Sequence, residues 1–484
     1  MRRLAGLLVA GALVMAGAAC SDDAPGIDRA AGRGGDAEAE GPVERPRGGS
    51  VRVGVWSEAD PALDTFGGQL ARSLVWPVLF VARPDGTWAP SIVEPGSITE
   101  SPDGASAAFR LRAGVEWSDG TPVGAEDLRR TADERFVERV GGPASDGTIT
   151  VTFTHPLEGW QRLWSGGSAI APPAEGLFGG PFEVASREPG LETVLKPVSG
   201  WWGSDVFGGP YLDEVRLVLV PDPAIAGQLL ERGELDVLAP LAATDLEATL
   251  ARMPDVEQAA ASDGGWWFGL LLSGARLGAE ERAGLVATVE RRAFVEVLLR
   301  GEARLLDGFG PRLLYAESPG AWAGVGEGEG DGDAGGLGGD TVDLVGYREV
   351  PMSHLLQRSM QRHARDEGGT IELRNAEAPI VGGWLATGEY QAALVLELDP
   401  PWPCWTCRWG AVSAELGGLA EAADGGDVGA VVQLQERLRS ESLVVPLWRP
   451  VTRVAWREGV EGVVPNGYAP GPAWNAWQWW RTPS

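Results

Sequence analysis

The sequence predicts a mixed α/β fold with more than one domain, on three observations. At 484 residues the chain is long enough for two or three domains with large cores. Short runs of alternating apolar residues recur from residue 50 onward, and 70 glycines and 35 prolines supply turns between them. The second half alternates strand-like with helix-like segments, the pattern of βαβ units.

Taken in order, SVRVGVW (50–56) alternates and reads as the first strand. LARSLVWPVLFVA is a short helix or strand-like apolar run. ASAAFRLRAG reads as a hairpin arm with Phe109 and Leu111 on one face. TPVGAEDLRRTADERF carries helix signals: Thr121 as cap, Pro122 at the first helical position, and Glu126 and Asp127 near the positive end of the dipole. GTITVTFTH is a strand, and FGGPFEVASREPGLETVLKPV gives two strands around a Pro-Gly turn. YLDEVRLVLVPD is a long strand, followed by a helix over PAIAGQLLERGELDVL that breaks at Gly233 into a short strand. GGWWFGLLLS is an apolar strand, and LGAEERAGLVATVERRAFVEVLL one long amphipathic helix. Residues 324–340 are acidic, glycine-rich and of low complexity, which reads as a solvated loop; a calcium loop would need acids at fixed spacing. TVDLVGY, TIELRN and GEYQAALVLELD are strands, SHLLQRSMQRHARDEG and DVGAVVQLQERLRSES helices. LVVPLWRP and VTRVAWREGVEGVV close the chain.

The amino terminus has the layout of a secretory leader: basic MRR, an apolar run, then small residues before Cys20. Residues 21–49 hold almost no large apolar side chain and read as a disordered tether. The formal charge is −28, and without the leader the acids exceed the bases by 30. Such a surface repels nucleic acid and anionic headgroups, which excludes both as expected partners. His155, His354 and His363 lie in unrelated segments. With no HExxH, GxSxG, P-loop or dinucleotide fingerprint, an enzyme is not expected, and neither is a cofactor or a metal.

FRLRAGVEWSDGTPVGAEDL (109–128) resembles the signature of family 5 extracellular solute-binding proteins, the peptide- and nickel-binding class of ABC importers. Phe109, Leu111 and Arg112 match its strand; Trp117 to Pro122 match its turn; Ala125, Glu126 and Asp127 match its helix start. Gly124 stands where that family usually has threonine. SVRVGVWSEADPALDT, GGPFEVASREPG, SGWWGSDVFGGPYLDEVRL, PDPAIAGQLLERGELDV and VERRAFVEVLLRG resemble further landmarks in the family's order. The resemblance weakens at 325–340, where the family carries a helix. The leader is similar to a bacterial lipoprotein signal, with Gly17 where leucine is usual; that implies lipidation of Cys20, against ordinary secretion as the alternative.

The resemblance implies a two-lobed periplasmic-binding-protein type II fold (cluster C) with a small accessory domain in the first lobe. Lobe I is expected to comprise 50–78, 166–262 and 443–484, the accessory domain 79–165, and lobe II 263–442. In the family's peptide binders a carboxylate pairs with the ligand's amino group, and Asp399 is the best-placed acid here. Beside Trp402 and Trp405 it would hold a cation by charge and π-face attraction; the other reading is that it shapes a proline turn. Trp56 and Ser57 end the first strand, where the chain should reach the cleft. Phe66, Gly67 and Gly68 fall near the stretch that pairs with peptide main chain by strand addition. Trp267 is a further wall candidate, or a core residue. Cys404 and Cys407 are read as a local disulfide, with redox or metal pairing as alternatives. The resemblance thus implies a lipid-anchored monomer that hands a small solute, an oligopeptide or dipeptide as first choice, to a membrane permease. The alternative keeps the fold but makes it a ligand sensor or surface scaffold without transport.

Overall fold

The computed structural model describes residues 45–483, apart from 64, 86, 135, 155, 158, 221, 239–248, 261–265, 301–302, 307–336, 338, 340, 349, 399–413, 425–426, 451–452 and 469. Within it the chain builds one seven-stranded sheet, one six-stranded sheet and one four-stranded sheet, with two small hairpin sheets beside them.

β1 (Ser50–Val55) alternates as the sequence predicts and is buried through Val51, Val53 and Val55. It leads to α1 (Phe66–Val75), whose buried stripe of Leu70, Ala71 and Leu74 packs beneath the sheet. β2 (Phe80–Ala82) and β3 (Trp88–Pro90) form a hairpin. A four-stranded sheet follows, over the stretch expected as the accessory domain, from β4 (Thr99–Glu100), β5 (Ser106–Phe109), β6 (Val137–Gly141) and β7 (Ile149–Phe153), in the order β4-β5-β7-β6. Phe109, Trp117, Leu128, Ile149 and Trp160 fill its core. The chain then returns through β8 (Phe182–Glu188), β9 (Glu192–Pro197) and β10 (Glu214–Leu219). α3 (Pro223–Glu231) ends before Gly233, which takes the left-handed φ of +70° that the predicted break requires. β11 (Val237–Leu238) and β12 (Val256–Ala260) are two further strands of the first sheet.

The second sheet opens with β13 (Trp266–Leu272). α4 (Ala279–Ala287), a short turn at Arg291–Ala293 and a π-helical turn at Phe294–Leu298 stand where one long helix is predicted. At the break Thr288 is the C-cap of α4, with its N–H and its hydroxyl both donating to the carbonyl of Leu285, at 3.1 and 2.7 Å. β14 (Ala303–Leu305) and β15 (Thr341–Tyr347) follow, then α5 (Pro351–Asp366), β16 (Thr370–Ala376), α6 (Ala378–Thr387), β17 (Ala392–Leu398), α7 (Ala414–Asp424) and α8 (Val428–Ser440). β18 (Val444–Pro450) pairs with β13 and β14, so it belongs to the second sheet. The chain returns to the first sheet at β19 (Arg453–Arg457), which pairs with β11 and β12. β20 (Val460–Glu461) and β21 (Trp480–Arg481) close the chain as a two-stranded ribbon.

The helix expected from Thr121 also starts later. Thr121 gives its backbone N–H and its hydroxyl to Asp119 Oδ1, at 2.9 and 2.6 Å, and so closes a turn. α2 (Ala125–Arg130) begins after Gly124, whose N–H donates to Asp127 Oδ2 at 3.0 Å. The turn chemistry of 117–121 is thus scaffold: Gly120, at φ +83°, completes it and Trp117 is buried beneath.

Candidate functional site

Register alone shows which edges of the two large sheets the chain crosses between. β1 runs parallel to β10 and β11, and β12 runs the same way, since both β11 and β12 oppose β19. In the second sheet β15 is parallel to β16 and β17, and β18 runs with β17 because both oppose β13. The chain leaves the first sheet at Ala260, the carboxyl end of β12, and enters the second at Trp266, opposite Leu398 at the carboxyl end of β17. It leaves the second sheet at Pro450 and re-enters the first at Arg453, opposite Ala260. Both crossings therefore join carboxyl edge to carboxyl edge. Three virtual bonds separate Pro450 from Arg453, so the two edges lie within about 11 Å there. In open α/β sheets, ligands bind outside the carboxyl ends of the strands.

On the first sheet, Trp56 and Ser57 follow β1 directly at this edge. The Trp56 ring stacks on Phe66, with centroids 3.9 Å apart and planes 16° from parallel. Ser57 Oγ accepts from the N–H of Gly67 at 2.8 Å, and Thr65 Oγ1 accepts from the N–H of Gly68 at 3.0 Å. The expected strand addition at Phe66–Gly68 is therefore replaced by the first turn of a helix. Phe, Gly and Gly read as extended backbone only if Thr65 is overlooked as a cap. The two glycines serve close packing: a Cβ on Gly67 would lie 2.3 Å from the carbonyl oxygen of Ser57, and one on Gly68 2.1 Å from that of Leu63.

The loop 57–65 is held from two sides. Arg72 donates from Nε to the carbonyl of Pro61 (3.0 Å), from one terminal nitrogen to Leu63 (2.7 Å) and from the other to Gly167 (2.8 Å). Arg187, at the end of β8, pairs with Asp60 at 2.6 Å and reaches Glu58 at 3.4 Å. Sequence reasoning singled out none of these four charged residues. A lone arginine inside a helix carries no signal that it will gather carbonyls from two distant segments.

On the second sheet Trp267 is 4% exposed, and its ring covers Gly269 among Leu271, Val395 and Leu416. It is a core residue here rather than an exposed wall residue. Asp399, Trp402, Trp405, Cys404 and Cys407 lie outside the described residues, as does Cys20. Among the described residues no group of three or more His, Cys, Asp or Glu is placed to hold a metal ion. None of the described helices is long and apolar enough to cross a membrane.

A model of the bacterial extracellular solute-binding proteins, family 5 (middle region) matches residues 67–321, more than half of the chain. The chain belongs to this family. Its members are the solute-binding proteins of ABC importers and work outside the cytoplasm. No curated protein matches the sequence. Among solved structures, the fold is similar to the periplasmic EDTA-binding protein EppA, at 19% identity over 91% of this chain and 98% of that one, with a TM-score of 0.74. It is similar to the oligopeptide-binding protein AppA from Bacillus subtilis, in complex with a nonapeptide, at 16% identity, 91% and 100% coverage and a TM-score of 0.71. NikZ from Campylobacter jejuni, in complex with Ni(L-His), gives 14% identity, 89% and 99% coverage and a TM-score of 0.68. At these identities the likeness speaks for the fold; the three ligands differ in kind, so they leave the solute of this family member open.

Proposed function

We propose that this chain captures a small solute, with a dipeptide or oligopeptide as first choice, between two lobes and delivers it to a membrane permease. The observation that carries the reading is the meeting of both carboxyl edges at the two crossings. The first lobe is the seven-stranded sheet, the second the six-stranded sheet, and the accessory sheet extends the first lobe. Trp56, stacked on Phe66, forms part of one wall. Asp399, directly after β17, supplies the carboxylate for a ligand ammonium, with Trp402 and Trp405 nearby in sequence. The protein does no chemistry, acts as a monomer and is held to the outer face of the cytoplasmic membrane by a lipid on Cys20. Cys404 and Cys407 form a local disulfide.

A thermal-shift screen of the purified protein against dipeptides to octapeptides, nickel chelates and oligosaccharides tests this. A solute at 100 times its dissociation constant stabilises the folded state by about 2.7 kcal/mol. The expected result is a raised melting temperature with peptides that is lost in Asp399→Ala. A shift with another class keeps the receptor and replaces the cargo. A folded protein that shifts with none of them removes the transport reading.

A further inference from the structure

Resting on the reading of the carboxyl edges as a solute crevice, we propose that Arg72 and Arg187 are positioning residues for solute binding. Neither is taken to touch the solute. Together they hold loop 57–65, which joins Trp56 to its stacking partner Phe66 and carries Ser57, in one shape before the solute arrives.

The loop has little of its own to hold it. Its described residues form no helix or strand, and Ala62 and Leu63 are exposed. Its ends are fixed by β1 and by the first turn of α1, where Ser57 and Thr65 accept from Gly67 and Gly68. The Thr65 hydroxyl also donates back to the carbonyl of Glu58 at 2.7 Å. Between these ends the two arginines act by different chemistry. Arg72 uses its planar fork on neutral carbonyls, tying the loop at Pro61 and Leu63 both to α1 and to Gly167, where the chain comes back from the accessory sheet. Arg187 uses charge, holding Asp60 and Glu58 from the far end of β8. The Arg187 side chain is 39% exposed, so salt screens this grip, whereas it barely affects guanidinium–carbonyl bonds. Arg187 also occupies two carboxylates at the crevice rim that would otherwise compete with a fixed acid for a cationic solute.

A loop that samples other shapes weakens apparent affinity by the fraction of time it is competent. Hydrogen exchange and peptide binding on the full chain test the proposal, in Arg72→Gln, Arg72→Lys and Arg187→Met. The binding probes are Met-Leu and a mixed octapeptide library. Amide exchange over 57–65 should speed up about tenfold in Arg72→Gln, and affinity should fall by a similar factor. Arg72→Lys should behave like Arg72→Gln, because an ammonium cannot span three carbonyls in the plane of a fork. Raising salt from about 50 mM to about 500 mM should loosen the loop further in Arg72→Gln, which retains only the ion-pair grip, and have little effect in Arg187→Met. A purely structural role for the arginines would give the same split by salt in exchange but leave affinity at the parent value.

The proposal is overturned if exchange over 57–65 stays at the parent rate in all three variants. It is equally overturned if the loop loosens while affinity does not change. If the parent protein binds neither probe, the peptide reading fails on its own account, and the salt-split exchange data still decide whether the two grips exist.

Discussion

Asp236 sits 2% exposed between arginines from opposite ends of the chain. Its Oδ2 accepts from the backbone N–H of Arg52 at 2.8 Å and from Arg52 Nε at 2.9 Å, while Arg481 reaches Oδ1 at 2.6 Å. The group thereby fastens β1, β11 and the closing ribbon together. Burial alone would push its carboxyl up, but the hydrogen bonds from Arg52 and Arg481 outweigh that and hold it below the usual aspartate value. Removing the carboxylate leaves two partly buried guanidinium groups uncompensated, so Asp236→Ala should lower stability by about 3–5 kcal/mol in urea unfolding. The pH dependence follows in sign. A depressed folded-state pKa contributes stability that is complete above the unfolded value, about 3.9, and fades as pH falls through the folded one. The parent protein should therefore lose stability below about pH 4 more steeply than Asp236→Ala does. Parallel slopes for the two proteins would mean that Asp236 is not the linked group.

At the scale of elements, the segment 115–130 separates what sequence shows from what only packing shows. Thr121 followed by Pro122 is a strong local helix start, yet the carboxylate two residues earlier takes both of its donors and closes a turn instead. Asp127 is the residue that secures the helix start, through Gly124 N–H and through Arg130 at 2.9 Å. Asp127→Ala should cost about 1 kcal/mol, and Thr121→Val less than about 0.5 kcal/mol beyond its effect on the turn. If Thr121→Val proves the costlier of the two, the cap has been placed wrongly. Strands were legible because a period of two survives any context, as in β1, β7, β10 and β15. Helices without a polar face were not: α6, over APIVGGWLAT, offers no amphipathic pattern, and α7 hides behind two glycines and a run of alanines. The single helix expected over 277–299 has a continuous apolar stripe, and nothing in that stripe reveals that α4 ends at Thr288.

For the molecule as a whole, the family and the two-sheet plan were readable from the ordered landmarks around Phe109–Leu128, but the crossing points were not. LVVPLWRP and VTRVAWREGV are both apolar alternating runs, and only pairing with β13 or with β11 decides which sheet each joins. The candidate site was half legible for the same reason: Trp56 and Ser57 follow a strand that could be read, whereas the contacts Arg72–Gly167 and Arg187–Glu58 join residues 95 and 129 positions apart. Two crossings at the carboxyl edges also predict how the molecule should move. The chain passes between the two large sheets from Ala260 to Trp266 and from Pro450 to Arg453, so closure would bring the two carboxyl edges together while each sheet keeps its own hydrogen bonds. With any solute that raises the melting temperature, X-ray scattering should show a smaller radius of gyration. Amide exchange should slow at Trp56–Ser57 and near Leu398 together, and stay unchanged in the accessory sheet from Thr99 to Phe153. Slowing at one edge alone, with no change in size, would place the solute on a single sheet and remove hinge closure from the account.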